Sequence, residues 1–198
     1  MLIGVTGSIG SGKSLVAAQL GKLLSAVVVS ADDICREQLK PGQPGYTRFT
    51  QSGGQRFLEG AGTIDRGKLR NELFRNAKLK KQLESILHPL VLSTLKEVEK
   101  GNPGVPIIAE VPLLFESGWQ DEFDLVISVS SPEAQLLERA VSRDQVSREA
   151  VREIIVTQMP TLEKNRRADF VIDNSSDLQH IERQLTMLAE MLQKRISE

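Results

Sequence analysis

The chain has 198 residues, of which 25 are Lys or Arg and 26 are Asp or Glu, and 40% are hydrophobic. This composition is typical of a globular protein with a proper core, and it excludes disordered and fibrous classes. The near-neutral charge argues against a general nucleic-acid binder, because affinity for a phosphate backbone needs a basic face. The single cysteine, Cys35, is typical of a reducing compartment and is interpreted as a small core residue. No apolar run reaches the ~20 residues of a membrane span, and the glycine-rich N-terminus does not resemble a signal peptide. We therefore expect a cytoplasmic protein without a membrane or nucleic-acid partner.

Short apolar runs without alternation predict strands that are covered on both faces and belong to a parallel sheet between helices. The five runs are residues 2–5, 26–29, 105–111, 124–129 and 170–172. Glycines and then a helical spacing of Leu and Val follow the first run. The chain therefore begins as strand, loop and helix.

Helix signals lie between and after these runs. Residues 41–67 are rich in Gly and Pro, which predicts an excursion from the sheet with only short helical pieces. A helical stretch from Lys68 to about Lys100 follows, and we expect it to be interrupted near Pro89. The last helix is expected from about Asp177. Its apolar stripe consists of Ile181, Leu185, Leu188 and Leu192.

Capping residues predict two further helices. Ser131 is expected to cap one helix, with Pro132 at its first position. Ser147 is expected to cap the next helix, which should end at Pro160.

Residues 7–14 read Gly-Ser-Ile-Gly-Ser-Gly-Lys-Ser and match the phosphate-binding pattern G-x-x-x-x-G-K-[ST]. Glycines allow such a loop to form a concave nest of backbone N–H groups, and the following helix adds its positive N-terminal end. Lys13 is expected to reach the β- and γ-phosphates, and the Ser14 hydroxyl to help hold Mg²⁺. The pattern therefore predicts a site for a nucleoside triphosphate.

Acidic residues follow two of the predicted strands, where ligands bind in open parallel sheets. Asp32 or Asp33 is a candidate general base for an attacking hydroxyl, although the N-cap of a helix starting near Ile34 explains them equally well. Glu110 is a candidate for orienting a magnesium-bound water. Glu116 is a candidate helix cap or substrate contact.

Arginine pairs at i,i+4 spacing are candidates for gripping a polyphosphate from one helix face, although solvated helix faces are the default explanation of these basic segments. The pairs are Arg66 with Arg70 and Arg139 with Arg143. A GTPase is disfavoured because the chain contains neither N-K-x-D nor D-x-x-G. A small-molecule kinase fits better, with a lid in the basic stretch 139–167.

The chain resembles the dephospho-coenzyme A kinase family over essentially its whole length. Apart from the phosphate loop, the most specific matches are the His-Pro, Pro-Leu-Leu-Phe-Glu and Gln-Met-Pro elements. The matching positions are residues 6–14, Ala31, Asp32, Arg66, Leu69, Arg70, residues 87–89, residues 111–116, Arg139, Arg143, Asp144, residues 158–160, Lys164 and residues 168–174.

This resemblance implies a three-layer α/β phosphate-loop nucleoside-triphosphatase fold with a five-stranded parallel sheet. It implies a core of about residues 1–36, 102–131 and 168–198, an inserted helical substrate domain of about 37–101, and a helical lid of about 132–167. The implied reaction is ATP-dependent, Mg²⁺-assisted phosphorylation of the ribose 3′-hydroxyl of dephospho-coenzyme A, the last step of coenzyme A synthesis.

The motif and the resemblance together imply a role for each site residue. Asp32 is the expected base, with Lys13 and Arg139 as further catalytic residues, and Ser14 as the residue at the metal. The expected ATP site consists of Gly7, Gly10, Ser11, Gly12, Lys13, Ser14, Leu15 and Arg143. The expected acceptor site consists of Arg66, Arg70, His88, Pro112, Leu113, Leu114 and Glu116.

Two positions depart from the family pattern. Ser30 stands where the family commonly has Asp, so Ser30 or Glu110 has to take over any role of that carboxylate with magnesium water. Ser8 stands where the family usually has a second glycine. We expect it at an exposed loop position, where a positive φ would strain it.

Two alternative functions remain open from the sequence. One is a kinase for another small metabolite or nucleoside monophosphate, and the other is a regulatory module operated by ATP. The sequence does not determine the oligomeric state, and a monomer is the default expectation.

Overall fold

Strands and helices alternate along most of the chain. The structure, a computed structural model, describes residues 1–197. Its strands are β1 (Leu2–Thr6), β2 (Val27–Ser30), β3 (Leu58–Glu59), β4 (Thr63–Ile64), β5 (Ile107–Glu110), β6 (Leu125–Ser130) and β7 (Phe170–Asp173). Its helices are α1 (Lys13–Leu24), α2 (Ala31–Gln38), α3 (Pro44–Gln51), α4 (Arg66–Arg75), α5 (Ala77–Gly101), α6 (Glu133–Asp144), α7 (Arg148–Thr157), α8 (Thr161–Arg167) and α9 (Leu178–Ser197). Within the described range, no helix is both long and apolar enough to cross a membrane.

A five-stranded parallel sheet forms the centre of the larger part of the molecule. Its strand order is β2-β5-β1-β6-β7, and every neighbouring pair is parallel. The five predicted strands are therefore confirmed. The expectation that all are covered on both faces is wrong at the two edges, where Val28 is 43% and Val171 41% exposed. Edge strands lack a neighbour on one side, and their side chains reach water more easily.

The helices α1 and α9 cover one face of this sheet. Leu20 of α1 and the predicted stripe of α9 are buried in one cluster with Ile3, Val5 and Ile127. The prediction of the last helix and its stripe is confirmed. Gly4 of β1 has a different role, because a Cβ there would lie 2.6 Å from a methyl carbon of Leu114. The missing side chain lets the segment after β5 pack directly onto the central strand.

The chain divides into two compact units. The first contains residues 1–30 and the chain from residue 98 onward, and the second contains residues 31–97. Helices α6, α7 and α8, which occupy the expected lid range, belong to the first unit. The proposed division into core, insertion and lid remains a prediction.

The second unit has its own apolar core. Phe49 and Phe57 are buried and stacked, with ring centroids 5.9 Å apart. Cys35 packs against the same cluster, in agreement with its interpretation as a small core residue. The short helical pieces predicted in residues 41–67 are present as α3 and a 3₁₀ turn at Gly54–Phe57. The antiparallel pair β3 and β4 was not predicted, because strands of two residues carry no periodic signal.

The helical break predicted near Pro89 is wrong, since α5 continues through that residue. The break lies at Asn76, whose Oδ1 accepts a hydrogen bond from the N–H of Leu79 at 3.0 Å and so caps α5. Buried residues continue at a spacing of four on both sides of Pro89. They are Leu79, Leu83, Leu87, Val91 and Leu95. Burial of this stripe outweighs the hydrogen bond that proline removes.

The caps around α6 and α8 also differ from the prediction. Pro132 is the N-cap of α6 rather than its first residue, and its carbonyl accepts from the N–H of Leu136 at 3.0 Å. The Ser131 hydroxyl does not cap the helix, because it donates instead to the carbonyl of Asn174. The prediction that Ser147 caps α7 is confirmed. The helix α7 already stops at Thr157, and Pro160 is the N-cap of α8.

Replacing the Asn76 cap tests the boundary between α4 and α5. We expect Asn76→Ala to lower the free energy of unfolding by about 1 kcal/mol, because the Leu79 N–H loses its acceptor. The measurement is urea denaturation. Asn76→Ser is the matched control, since serine caps helices as well as asparagine does, and it should retain most of the stability. Equal losses in both variants would contradict the capping role.

Candidate active site

The phosphate loop, residues 7–14, joins β1 to α1. Gly10 and Gly12 have φ angles of +77° and +91°, which glycine adopts without strain. A Cβ at Gly10 would lie 2.3 Å from the carbonyl oxygen of Leu136, and one at Gly12 would lie 2.2 Å from Nδ2 of Asn174. Both positions therefore exclude any side chain by conformation and by space.

Asn174, directly after β7, holds the loop in place. Its Nδ2 donates to the carbonyl of Ser11 at 2.7 Å, and Asn174 itself is buried. Its backbone N–H donates to the carbonyl of Ser130 at 2.7 Å, which ties it to β6. Sequence reasoning identified Asn174 only as a family match. Its contact with Ser11 spans 163 positions, so no local pattern reveals it.

Ser8 and Ile9 of the phosphate loop are held by the α7–α8 junction, residues 158–161. The Ser8 and Thr161 hydroxyls are hydrogen-bonded at 3.0 Å, and the N–H of Ile9 donates to Oε1 of Gln158 at 3.0 Å. Ser8 is buried, and its φ is not positive. The expectation of an exposed Ser8 is therefore wrong, because its hydroxyl has a partner inside the fold.

Lys13 and Ser14 open α1 with their polar groups close to the loop and to β5. Nζ of Lys13 donates to the carbonyl of Ser8 at 3.1 Å. Oγ of Ser14 donates to Oε1 of Glu110 at 2.9 Å. Ser30, which replaces the family's usual Asp, is the register partner of Glu110 between β2 and β5. The structure thus brings together Ser14 and Glu110, the two residues that the sequence analysis associates with magnesium.

The donor set suits Mg²⁺ bound chiefly through nucleotide phosphates. A hydroxyl and a single carboxylate are hard oxygen donors, which magnesium prefers. Across residues 1–197, no cluster of three or more His, Cys, Asp or Glu side chains is arranged to hold a metal alone. Magnesium would therefore need oxygen ligands from the nucleotide and from water.

The arginines of α6 have separate partners. Arg139 donates to the Asn174 carbonyl at 3.1 Å and to Oε1 of Gln135 at 3.0 Å. The Arg143 guanidinium makes a bidentate pair with the Asp144 carboxylate, in which both hydrogen bonds are 2.8 Å long. The Asp144 hydrogen bond is the main reason that the pKa of Arg143 is raised. Arg139 is therefore joined to the phosphate loop through Asn174, and joint gripping by the two arginines remains a prediction.

The loop at residues 112–116, called the acceptor-side loop after its predicted role, follows β5. The carbonyl of Pro112 accepts from Oγ1 of Thr6 at 3.2 Å. Leu114 has no exposed surface and anchors the loop on the sheet. Oε1 of Glu116 pairs with Nζ of Lys164 at 2.9 Å and accepts from the N–H of Met159 at 2.8 Å. Glu116 is therefore not a helix cap, because its carboxylate is engaged with α8 and the junction before it.

In the second unit, Asp32 and Asp33 lie in the first turn of α2. Their alternative interpretation as the N-cap of a helix near Ile34 is wrong, since α2 already starts at Ala31. Asp33 pairs with Nη1 of Arg36 at 2.6 Å. Burial, assisted by the negative charge of Asp32, raises the pKa of Cys35 to about 11. Cys35 is therefore an unreactive thiol beside the candidate base.

The predicted acceptor residues of the second unit lie on α4 and α5. Arg66 donates to the carbonyl of Arg36 at 3.2 Å, and the Arg70 guanidinium lies 6.0 Å from the ring centre of Phe74. Burial lowers the pKa of His88, partly opposed by Glu84. His88 is thus biased toward its neutral form, in which one ring nitrogen can accept a hydrogen bond.

Adding a methyl group at Gly12 tests the contact between the phosphate loop and Asn174. We expect Gly12→Ala to weaken ATP binding by roughly 10-fold or more, because its Cβ would displace the Asn174 amide that holds Ser11. Isothermal titration with ATP measures this.

Gly42→Ala is the matched control for this prediction. Gly42 has nearly the same φ, +88°, but a Cβ added there would meet no other part of the chain within 4 Å, so only the backbone strain is shared. Its ATP affinity should be unchanged. Equal affinities in the two variants would contradict a role of the Asn174 contact.

This chain is similar in sequence to known dephospho-CoA kinases. The family model described as "Dephospho-CoA kinase" matches residues 1–180. The dephospho-CoA kinase of Desulfotalea psychrophila is 38% identical over 176 residues, covering 88% of each chain. That of Methylococcus capsulatus is 35% identical over 95% of this chain and 94% of its own.

Solved structures agree with these relatives. The protein TT1252 from Thermus thermophilus has a TM-score of 0.83 at 31% identity, covering 97% of both chains. Dephospho-CoA kinase from Campylobacter jejuni has a TM-score of 0.68 at 28% identity, over 98% of this chain and 97% of its own. A shikimate kinase from Bacteroides thetaiotaomicron, with a TM-score of 0.56 at 15% identity, shares the fold. By its sequence and by its structure, this chain belongs to the dephospho-CoA kinase family.

Proposed function

We propose that this protein transfers the γ-phosphoryl group of ATP to the ribose 3′-hydroxyl of dephospho-coenzyme A, giving coenzyme A and ADP. The observation that carries the proposal is the family match over residues 1–180, which includes an intact phosphate loop. Three curated relatives that are 38%, 35% and 34% identical to this chain are named dephospho-CoA kinases.

The phosphate loop holds the triphosphate in this proposal. Its backbone N–H groups and the N-terminal end of α1 supply fixed positive dipoles, so that little reorganisation is needed when charge moves during transfer. Lys13 exchanges the Ser8 carbonyl for the β- and γ-phosphates. Arg139, held through Asn174 beside the same loop, neutralises charge on the transferring group.

Ser14 and Glu110 are the residues that would hold Mg²⁺. The ion, when bound with ATP, supplies charge neutralisation at the β- and γ-phosphate oxygens. Ser14 would offer its hydroxyl oxygen to the ion, and the Glu110 carboxylate, which now accepts from that hydroxyl, would instead orient water around the ion. Glu110 is thereby assigned the role of the carboxylate missing at Ser30, its neighbour on β2.

Asp32 is assigned as the general base. It follows β2 by two residues, and ligands of open parallel sheets bind beyond the carboxyl ends of the strands. The acceptor oxygen forms a bond to the γ-phosphorus while the bond to the β,γ-bridging oxygen breaks, and the hydroxyl proton passes to the Asp32 carboxylate. Arg66, Arg70, His88 and residues 112–116 are assigned to the acceptor. Positioning and electrostatics supply most of the rate in such a transfer.

A coupled assay of ADP release tests the proposed function. Protein, ATP and Mg²⁺ are mixed with dephospho-coenzyme A or with shikimate. Shikimate is the control acceptor, because a shikimate kinase shares the fold of this chain. We expect ADP release to depend on dephospho-coenzyme A alone. Stimulation by another small acceptor would indicate the alternative kinase, and slow hydrolysis unaffected by any acceptor would indicate the regulatory module. Either result would contradict the proposal.

Neutralising Asp32 tests its role as the base. We expect Asp32→Asn to lower kcat by roughly 10²–10⁴ and leave the Kd for ATP similar, because the amide cannot take the hydroxyl proton. Steady-state kinetics and ATP titration measure the two effects. Asp33→Asn is the matched control one residue further, where the carboxylate pairs with Arg36, and its kcat should fall far less. Near-normal turnover in Asp32→Asn would remove Asp32 from the base role.

Neutralising Glu110 tests its role toward magnesium. We expect Glu110→Gln to raise the Mg²⁺ concentration for half-maximal rate by roughly 10-fold or more, because the amide keeps an acceptor for Ser14 but loses the charge. Rates are measured across a Mg²⁺ titration at saturating ATP. Glu138→Gln, at an exposed position of α6, should have no effect. An unchanged Mg²⁺ requirement in Glu110→Gln would contradict the assignment.

A further inference from the structure

Lys164 of α8 is a lysine with no exposed surface. Its side chain is 0% exposed, and its Nζ lies 2.9 Å from Oε1 of Glu116. The same Nζ donates to the carbonyl of Pro112 at 2.9 Å. Lysines are almost never fully buried unless they are paired, and Lys164 meets that condition with two oxygen partners on one loop. This side chain is closed off from solvent.

The partners of Lys164 lie on the acceptor-side loop. Pro112 and Glu116 are the two ends of that loop, so one ammonium group holds both ends. Lys164 is fully removed from water and the Glu116 side chain is 21% exposed. The cost of desolvating such a pair offsets much of the attraction between its charges, and apolar residues often stabilise a fold as well as it does. The pair therefore contributes mainly by fixing where the loop lies.

The junction at residues 158–161 connects this pair to the phosphate loop. Its Met159 N–H donates to the same Glu116 oxygen that Lys164 binds, at 2.8 Å. Its two ends contact the phosphate loop through the pairs Gln158 with Ile9 and Thr161 with Ser8, each at 3.0 Å. One short segment thus contacts both the loop that binds ATP and the loop assigned to the acceptor.

We propose that Lys164 is a positioning residue for phosphoryl transfer. It fixes the acceptor-side loop against the junction, and the junction fixes both relative to the phosphate loop, so that the acceptor hydroxyl is held in line with the γ-phosphate. This inference rests on the proposed function, because it takes residues 112–116 as part of the acceptor site. Small displacements of a reacting group cost large factors in rate, which gives such a residue kinetic weight.

Removing the ammonium group of Lys164 tests the proposal. We expect Lys164→Met to raise the KM for dephospho-coenzyme A by roughly 10-fold or more and to lower kcat as well, because the acceptor hydroxyl loses its in-line position. The Kd for ATP, measured by titration without acceptor, should change less than about 2-fold, because the junction's contacts with Ser8 and Ile9 do not involve Nζ. Glu163→Gln is the matched control on the same helix. It breaks the exposed pair of Glu163 with Arg167 and should leave both constants unchanged.

A double-mutant cycle separates positioning from a merely structural role. Glu116→Gln keeps an acceptor for the Met159 N–H, and the double variant Lys164→Met/Glu116→Gln leaves no unpaired buried charge. If the two residues act through each other, the double variant should raise the acceptor KM no more than Lys164→Met alone. If Lys164→Met does not fold, the double variant carries the test by the same two constants.

Three results would overturn the proposal. They are an unchanged acceptor KM in Lys164→Met or the double variant, equal losses of acceptor and ATP affinity, and additive effects of the two substitutions. The unmutated protein is assayed alongside. If it shows no turnover with dephospho-coenzyme A, the proposed function fails and this inference fails with it. If it turns over normally and the variants match it, only the role of Lys164 is rejected.

Discussion

The phosphate loop is held in one backbone conformation by its glycines and by Asn174. Two glycines with positive φ leave no room for a side chain, and the Ser11 carbonyl between them is held by Asn174. This fixes the loop before any nucleotide arrives, so the N–H groups and the end of α1 form a prepared anion site. Arg139 donates a hydrogen bond to the backbone carbonyl of the same Asn174. The residue that holds the phosphate loop therefore also holds Arg139.

Most of the sheet and of α9 could be predicted because their signals are local. Apolar runs identified all five strands of the parallel sheet, and the spacing of leucines identified the buried face of α9. The prediction failed where tertiary burial competes with a local signal. Pro89 suggests a break, yet the buried stripe of α5 continues through it. The β3–β4 pair and the cap at Pro132 depend on contacts and backbone geometry that a propensity does not contain.

The candidate site was predictable in its residues more than in its contacts. The phosphate loop is a contiguous pattern, and it identified Lys13 and Ser14 directly. The pairing of Ser14 with Glu110 joins residues 96 positions apart, and that of Ser8 with Thr161 joins residues 153 positions apart. Contacts at such sequence separations produce no local sequence pattern. The sequence analysis therefore places Ser8 at an exposed position. The roles of Asp32 and the acceptor residues remain assignments from pattern and family.

The proposed reaction delivers the γ-phosphoryl group to a ribose hydroxyl rather than to water. Phosphorus NMR of the products of a single incubation with ATP, Mg²⁺ and dephospho-coenzyme A tests it most directly. We expect one new phosphomonoester signal assigned to the 3′ position, equal in amount to the ADP formed. Inorganic phosphate in its place, or a phosphoryl group on another atom of the acceptor, would contradict it.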